Sequence, residues 1–214
     1  MRHETVEAGK LITFEGGEGA GKSTQVSILV ERLKSAGRQA IATRGPGGSP
    51  AAEEIRETLL SGKIKAFGPF AEALLFSVAR QDHVDSIISG SLAKGQWVVC
   101  DRFLDSTRAY QGVNGGVPAP VISALERLTL HGLMPNLTIV LDIPVEEGLA
   151  RASRRHGAPD RFESQDLAQH ERIRKAFIDI AEEEPARCVV IDARKPEALV
   201  AEDVWEAVAE RLRP

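Results

Sequence analysis

Eight consecutive residues, Gly16-Gly17-Glu18-Gly19-Ala20-Gly21-Lys22-Ser23, match G-x-x-x-x-G-K-[ST] without a mismatch. An apolar run precedes them and an amphipathic one follows. Glycines at this spacing let successive backbone N–H groups turn inward at the positive end of a helix, where they cradle phosphate oxygens. Lys22 adds a point charge for the β- and γ-phosphates, and Ser23 offers a hydroxyl to Mg²⁺. A glycine turn that binds nothing would leave that lysine unexplained.

Which reaction follows is a separate question. A GTPase switch needs a guanine-reading N-K-x-D segment, but the only asparagines are Asn114 and Asn136. A motor or transport ATPase module usually sits in a larger chain. A small-molecule kinase fits the length of 214 residues, and it needs a second anion site for its acceptor. Residues suited to one are present. Arg44-Gly45-Pro46-Gly47-Gly48-Ser49 follows the second apolar run, and Cys100-Asp101-Arg102-Phe103 ends the third. Phe76 and Arg80 lie four apart, on one face of a helix. Asp105-Ser106-Thr107-Arg108-Ala109-Tyr110-Gln111-Gly112 comes next. Arginines, an aromatic ring and a Tyr-Gln pair around one pocket suit a nucleoside monophosphate. Asp101 ends its strand as a Walker-B carboxylate does. Arg151, Arg154, Arg155, His156 and Arg161 crowd into eleven residues, as either a solvated helix end or a lid that closes on ATP phosphates. The five histidines show no ligand spacing and read as structural or surface residues.

On these residues the sequence resembles thymidylate kinase of the bacterial type over nearly its whole length. The resemblance implies γ-phosphoryl transfer from MgATP to dTMP, a homodimer and a sheet ordered 2-3-1-4-5. Gly16, Gly17, Glu18, Gly19, Ala20, Gly21, Lys22, Ser23 and Thr24 would bind ATP, joined by Arg151 and Arg161. Phe76 would stack on thymine, Arg80 would bond a base carbonyl, and Ser106 and Gln111 would approach the base edge. Arg44, Pro46 and Arg102 would hold the acceptor end, Glu18 would meet the 3′-hydroxyl, and Tyr110 would crowd the 2′ position. Lys22, Arg102, Arg155 and Asp101 would be catalytic, with Ser23 and Asp101 at Mg²⁺. The family turn reads Arg-Glu-Pro-Gly-Gly, whereas this chain has Gly45. That change is expected to leave Arg44 without a nearby orienting partner.

The elements that must position these residues are legible too. Leu11 to Glu15, Ala40 to Thr43, Trp97 to Asp101, Leu137 to Asp142 and Cys188 to Asp192 read as strands covered on both faces. Helical patterns separate them. One is stopped at Gly37, one is capped by Ser49-Pro50, a long one runs from about Pro69 to Ala93, and others start near Pro120, Val145, Gln165 and Pro196. This alternation predicts an α/β fold with a five-stranded parallel sheet and helices on both faces, a P-loop nucleoside monophosphate kinase-like fold. One domain over 1–214 is expected, with a lid at about 151–163 and a polar extension at 1–9. The net charge of −4 argues against a nucleic-acid coat. No apolar run reaches ~18 residues, so no membrane partner is expected. Two isolated cysteines suit a reducing, cytoplasmic setting.

Overall fold

The computed structural model describes residues 8–154, 162 and 165–214. Five strands, β1 (Leu11–Glu15), β2 (Ala40–Arg44), β3 (Trp97–Asp101), β4 (Leu137–Asp142) and β5 (Cys188–Asp192), form one sheet in the order β2-β3-β1-β4-β5. Every pairing is parallel, with Thr13 opposite Cys100 on one side and Thr138 on the other. The central strands β1 and β4 are buried almost throughout, as runs of Leu, Ile and Val require. The edge strands depart from the expectation of two covered faces. β2 and β5 are only partly buried, because each has a neighbour on one side alone.

Side-chain alternation builds two layers. Ile12 and Phe14 face α1 (Lys22–Ser35) and α9 (Glu197–Leu212), packing with Leu29, Leu33, Val204 and Val208. Leu11, Val98 and Cys100 face the other way, against Val84, Ile88, Leu104 and Leu130. Each such aliphatic side chain, fully buried, contributes roughly 1.5–3 kcal/mol.

Local signals place most helices. Ser49 accepts a hydrogen bond from Ala52 N and Pro50 occupies the first turn of α2 (Pro50–Leu60). Asp166 and Gln169 form a reciprocal capping box at the start of α8 (Leu167–Glu183). The long pattern from Pro69 is helical but not uniform. It runs as α3 (Gly68–His83), a wider π-helical stretch Val84–Ile88, and α4 (Ser89–Ala93), before Gly95 ends it. Residues after β3 are also helical, as α5 (Leu104–Thr107) and a π-helical stretch Arg108–Asn114. No helical periodicity announces them. Their start is held from afar by the buried Glu15 carboxylate, which accepts from Phe103 N at 2.7 Å and Ser106 N at 3.2 Å. The remaining helices are α6 (Ala119–Leu130) and α7 (Val145–Ala152). No helix among the described residues is long and apolar enough to cross a membrane.

The carboxyl ends of β1 and β3 diverge into loops on either side of the point where strand order reverses. Such crevices are where open parallel sheets bind ligands.

Candidate active site

A cavity of about 840 Å³ opens there, large enough for two nucleotides end to end. Its floor is the glycine loop between β1 and α1. Gly16 has φ 134° and Gly19 has φ 67°, backbone that side chains rarely adopt. A Cβ at Gly16 would lie 2.4 Å from Leu141 O, and one at Gly19 would lie 1.9 Å from Gly148 O. The loop therefore packs directly on β4 and α7.

Lys22 opens α1 and folds back over the loop, its Nζ donating to Gly17 O at 2.7 Å and Gly16 O at 3.1 Å. Burial outweighs the neighbouring carboxylates and pulls its ammonium down to about 8. A bound phosphate would reverse that shift. Ser23 Oγ donates to Asp101 Oδ2 at 2.5 Å, which brings together the hydroxyl and carboxylate expected at the metal. The described residues hold no cluster of three or more metal-ligating side chains. The pair nevertheless fits Mg²⁺, which keeps several waters and takes substrate phosphates beside one or two protein oxygens.

Arg102 follows β3 with φ 67° and stands between the loop and the deeper pocket. Its Nη2 pairs with Glu18 Oε1 at 2.8 Å, and its Nη1 reaches Gly16 O and Ser106 Oγ at 3.3 Å. Its guanidinium lies 5.2 Å from the centre of the Tyr110 ring, and Tyr110 Oη donates to Glu18 at 2.7 Å. Burial alone would raise the Glu18 carboxyl. Arg102, Lys22 and the Tyr110 bond overcome it and hold the group at about 2. Arg102 is driven the opposite way: burial would lower it, but Tyr110, Glu18 and Asp101 hold it above its ordinary value. Ser106 donates its hydroxyl to Glu15 at 2.6 Å, so this side chain braces Arg102 as well as lining the cavity.

Further along the cavity, Arg44 leaves the end of β2. The expectation that Gly45 deprives it of a partner is wrong. Glu53, one turn into α2, accepts from Arg44 Nη2 at 3.0 and 3.1 Å and from Gly48 N at 3.0 Å. Glycine at position 45 has its own reason, since a Cβ there would come within 2.9 Å of Arg102 O. Pro46 lines the cavity and its carbonyl accepts from Arg56 Nη1 at 2.8 Å.

Phe76 and Arg80 share the cavity face of α3. Arg80 is 6% exposed, which excludes a solvated helix charge. Its Nη2 donates to Phe103 O and Thr107 Oγ1, while Nη1 is buried with no partner among the described residues. Phe162 lies 6.1 Å from Phe76 and edge-on to Tyr110 at 5.6 Å, so three rings wall the pocket. Gln111 lines it beside them.

Arg151 reaches the cavity from α7 and donates to Ala193 O at 2.9 Å. Arg155 and Arg161 lie outside the described residues. Several lining residues escaped the sequence reading. Arg194 and Lys195 follow β5, where the rule about strand ends would have found them. His83 is structural, but it also lines the cavity; its Nε2 meets Thr43 Oγ1 at 2.6 Å, and burial pulls it down to about 4. Eight basic and three acidic side chains among the described residues line the cavity of a chain whose net charge is −4. Such a surplus attracts and holds polyanions.

Comparison with known proteins agrees with this geometry. The family model described as thymidylate kinase matches residues 14–204. A thymidylate kinase of Nitrobacter hamburgensis is 56% identical over 206 residues, spanning 95% of this chain and 90% of the relative. One from Bradyrhizobium sp. (strain ORS 278) is 54% identical over 206 residues, spanning 95% and 91%. The crystal structure of thymidylate kinase from Ehrlichia chaffeensis superposes with a TM-score of 0.75 at 32% identity, covering 94% of this chain and 99% of that one.

Proposed function

The chain belongs to the thymidylate kinase family, and on that premise we propose how its cavity transfers a phosphoryl group from ATP to dTMP. The observation that carries the assignment is the Arg102–Glu18–Tyr110 cluster between the glycine loop and the aromatic pocket. A fixed cation between the glycine loop and the aromatic pocket supports a reading in which the two phosphate groups meet at Arg102. Lys22, Gly16 to Thr24 and Arg151 take the donor. Arg44, Pro46, Phe76, Arg80, Ser106, Tyr110 and Gln111 take the acceptor, and the unpartnered Arg80 Nη1 is the donor that a base carbonyl would satisfy once the pocket adjusts around it.

The acceptor is itself a phosphate, whose second pKa is about 6. It is already nucleophilic at neutral pH, and no general base is needed. The work of the residues is to align two polyanions and neutralise the charge spread over the transferred group. Lys22 would exchange its bonds to the loop carbonyls for bonds to the donor phosphates, with Arg102 between donor and acceptor. Ser23 and Asp101 would hold Mg²⁺, which supplies charge neutralisation on the donor phosphates. Glu18 fixes Arg102 and presents its second oxygen to the sugar.

Two wider assignments follow. Phe67, Phe70, Leu74 and Val78 are exposed in and just before α3, at helical spacing on the side away from the cavity. A contiguous apolar stripe of this kind supports a homodimer through α3. Cys100 and Cys188 are free and buried, which suits a cytoplasmic enzyme.

The deciding experiment is an assay of purified protein with MgATP against a panel of nucleoside monophosphates. dTMP should be best and dUMP weaker by ~10- to 200-fold for want of a methyl contact, with dCMP, AMP and GMP poor. Efficient use of AMP or GMP with dTMP inert would leave another nucleoside monophosphate kinase.

A further inference from the structure

Glu72 lies one helical turn before Phe76 and two before Arg80, on the same stripe of α3. It is 4% exposed, and a carboxylate is costly to bury unless it is bonded. Gln111 Nε2 donates to Glu72 Oε2 at 3.3 Å, and Gln111 is itself 2% exposed while lining the cavity. A primary amide can usually rotate by 180° and exchange its donor for its acceptor end. Beside a carboxylate it cannot, because the carboxylate only accepts and the NH₂ end must face it. The carbonyl oxygen of Gln111 is thereby fixed at the opposite end, as an acceptor.

Arg80 is held just as firmly. Phe103 O and Thr107 Oγ1 take Nη2, leaving Nη1 as a donor without a partner among the described residues. Arg80 and Gln111 both line the cavity, so a base seated against this wall would meet one donor and one acceptor. A 4-oxo pyrimidine presents the complement, a carbonyl beside a ring N–H. A 4-amino pyrimidine presents the reverse, an amine beside a bare ring nitrogen.

We propose that Glu72 is a positioning residue for base selection: by holding the Gln111 amide in one orientation, it makes the pocket accept 4-oxo and reject 4-amino pyrimidine monophosphates. This deepens the dTMP assignment and rests on it. Without the carboxylate the amide is free to turn, and its NH₂ end can serve the ring nitrogen of cytosine.

The test is the ratio of kcat/KM for dTMP to that for dCMP. In Glu72→Gln the ratio should fall at least ~10-fold, mainly through KM, while Glu72→Asp should retain more of it. A merely structural role would depress both substrates together and leave the ratio unchanged, which would overturn the proposal. Gln111→Leu supplies a test independent of how Glu72→Gln folds. It should lower the ratio by itself, and in that background Glu72→Gln should change it no further. An unchanged ratio in Gln111→Leu, or an equal further drop in the double variant, overturns the proposal. A wild-type protein that uses dCMP as readily as dTMP would instead sink the acceptor assignment itself.

Discussion

Two clusters of arginine and carboxylate sit on either side of Glu15, and they are built differently. Behind it, Arg187 makes paired bonds to Asp105 at 2.8 Å and reaches Glu184 and Thr138 Oγ1. Arg108 pairs with Glu126 through two bonds at 2.7 and 2.8 Å and also meets Asp105 and Glu184. Three carboxylates answer two guanidiniums, so the network is closed. In front of Glu15, among the described residues, cations outnumber anions, Lys22 is bonded only to loop carbonyls, and Arg80 keeps an orphaned nitrogen. That network is open, and substrate phosphates and a base would complete it. Similar side chains serve stability where the charge closes and chemistry where it does not.

The widest gap between the two should appear in Arg187→Ala. Removing it leaves Asp105, 1% exposed at its side chain, without its bidentate partner. The loss should be about 3 to 5 kcal/mol of unfolding free energy, lowering Tm by roughly 6 to 20 °C, with kcat of the folded enzyme within about twofold of wild type. Thermal melts and turnover on the same sample decide it; lost turnover at an unchanged Tm would break the comparison. Lys22→Ala should do the converse. Turnover should fall at least ~100-fold while the melt stays in place, and an early transition would mark the loop as structural.

Titration sharpens the contrast. With Lys22 pulled down to about 8 by burial, the affinity for a non-hydrolysable ATP analogue should fall above that pH, by up to roughly tenfold per unit. Calorimetry in buffers of different ionisation enthalpy should show a proton taken up on binding there. The sign for stability is opposite. The unfolded chain holds this proton up to about 10.5, so between about 8 and 10.5 it binds more protons than the native state and this contribution to stability rises with pH. Glu18 acts at the other end: its contribution is full above the ordinary value of 4.5 and is lost as pH falls through about 2. The smallest effect belongs to Glu53→Gln. Its pair with Arg44 is exposed, so the KM for dTMP should rise only ~2- to 5-fold with kcat nearly constant.

The strands, the sheet class and the phosphate loop were legible in the chain because each depends on neighbours within a few residues. Apolar runs must be buried, and glycines at fixed spacing define a turn whatever lies elsewhere. The sequence by itself also marked Phe76 and Arg80 as one face, since four residues is one helical turn. Tertiary structure alone decided their partners. Glu53 pairs with Arg44 from nine residues away, and Glu15 starts a helix 88 residues later. Glu72 reaches Gln111 across 39 residues, and Arg151 finds Ala193 O across 42. Hydrogen bonds of this range leave no periodicity in the sequence, because only the folded path of the chain brings donor and acceptor within 3 Å or so of each other.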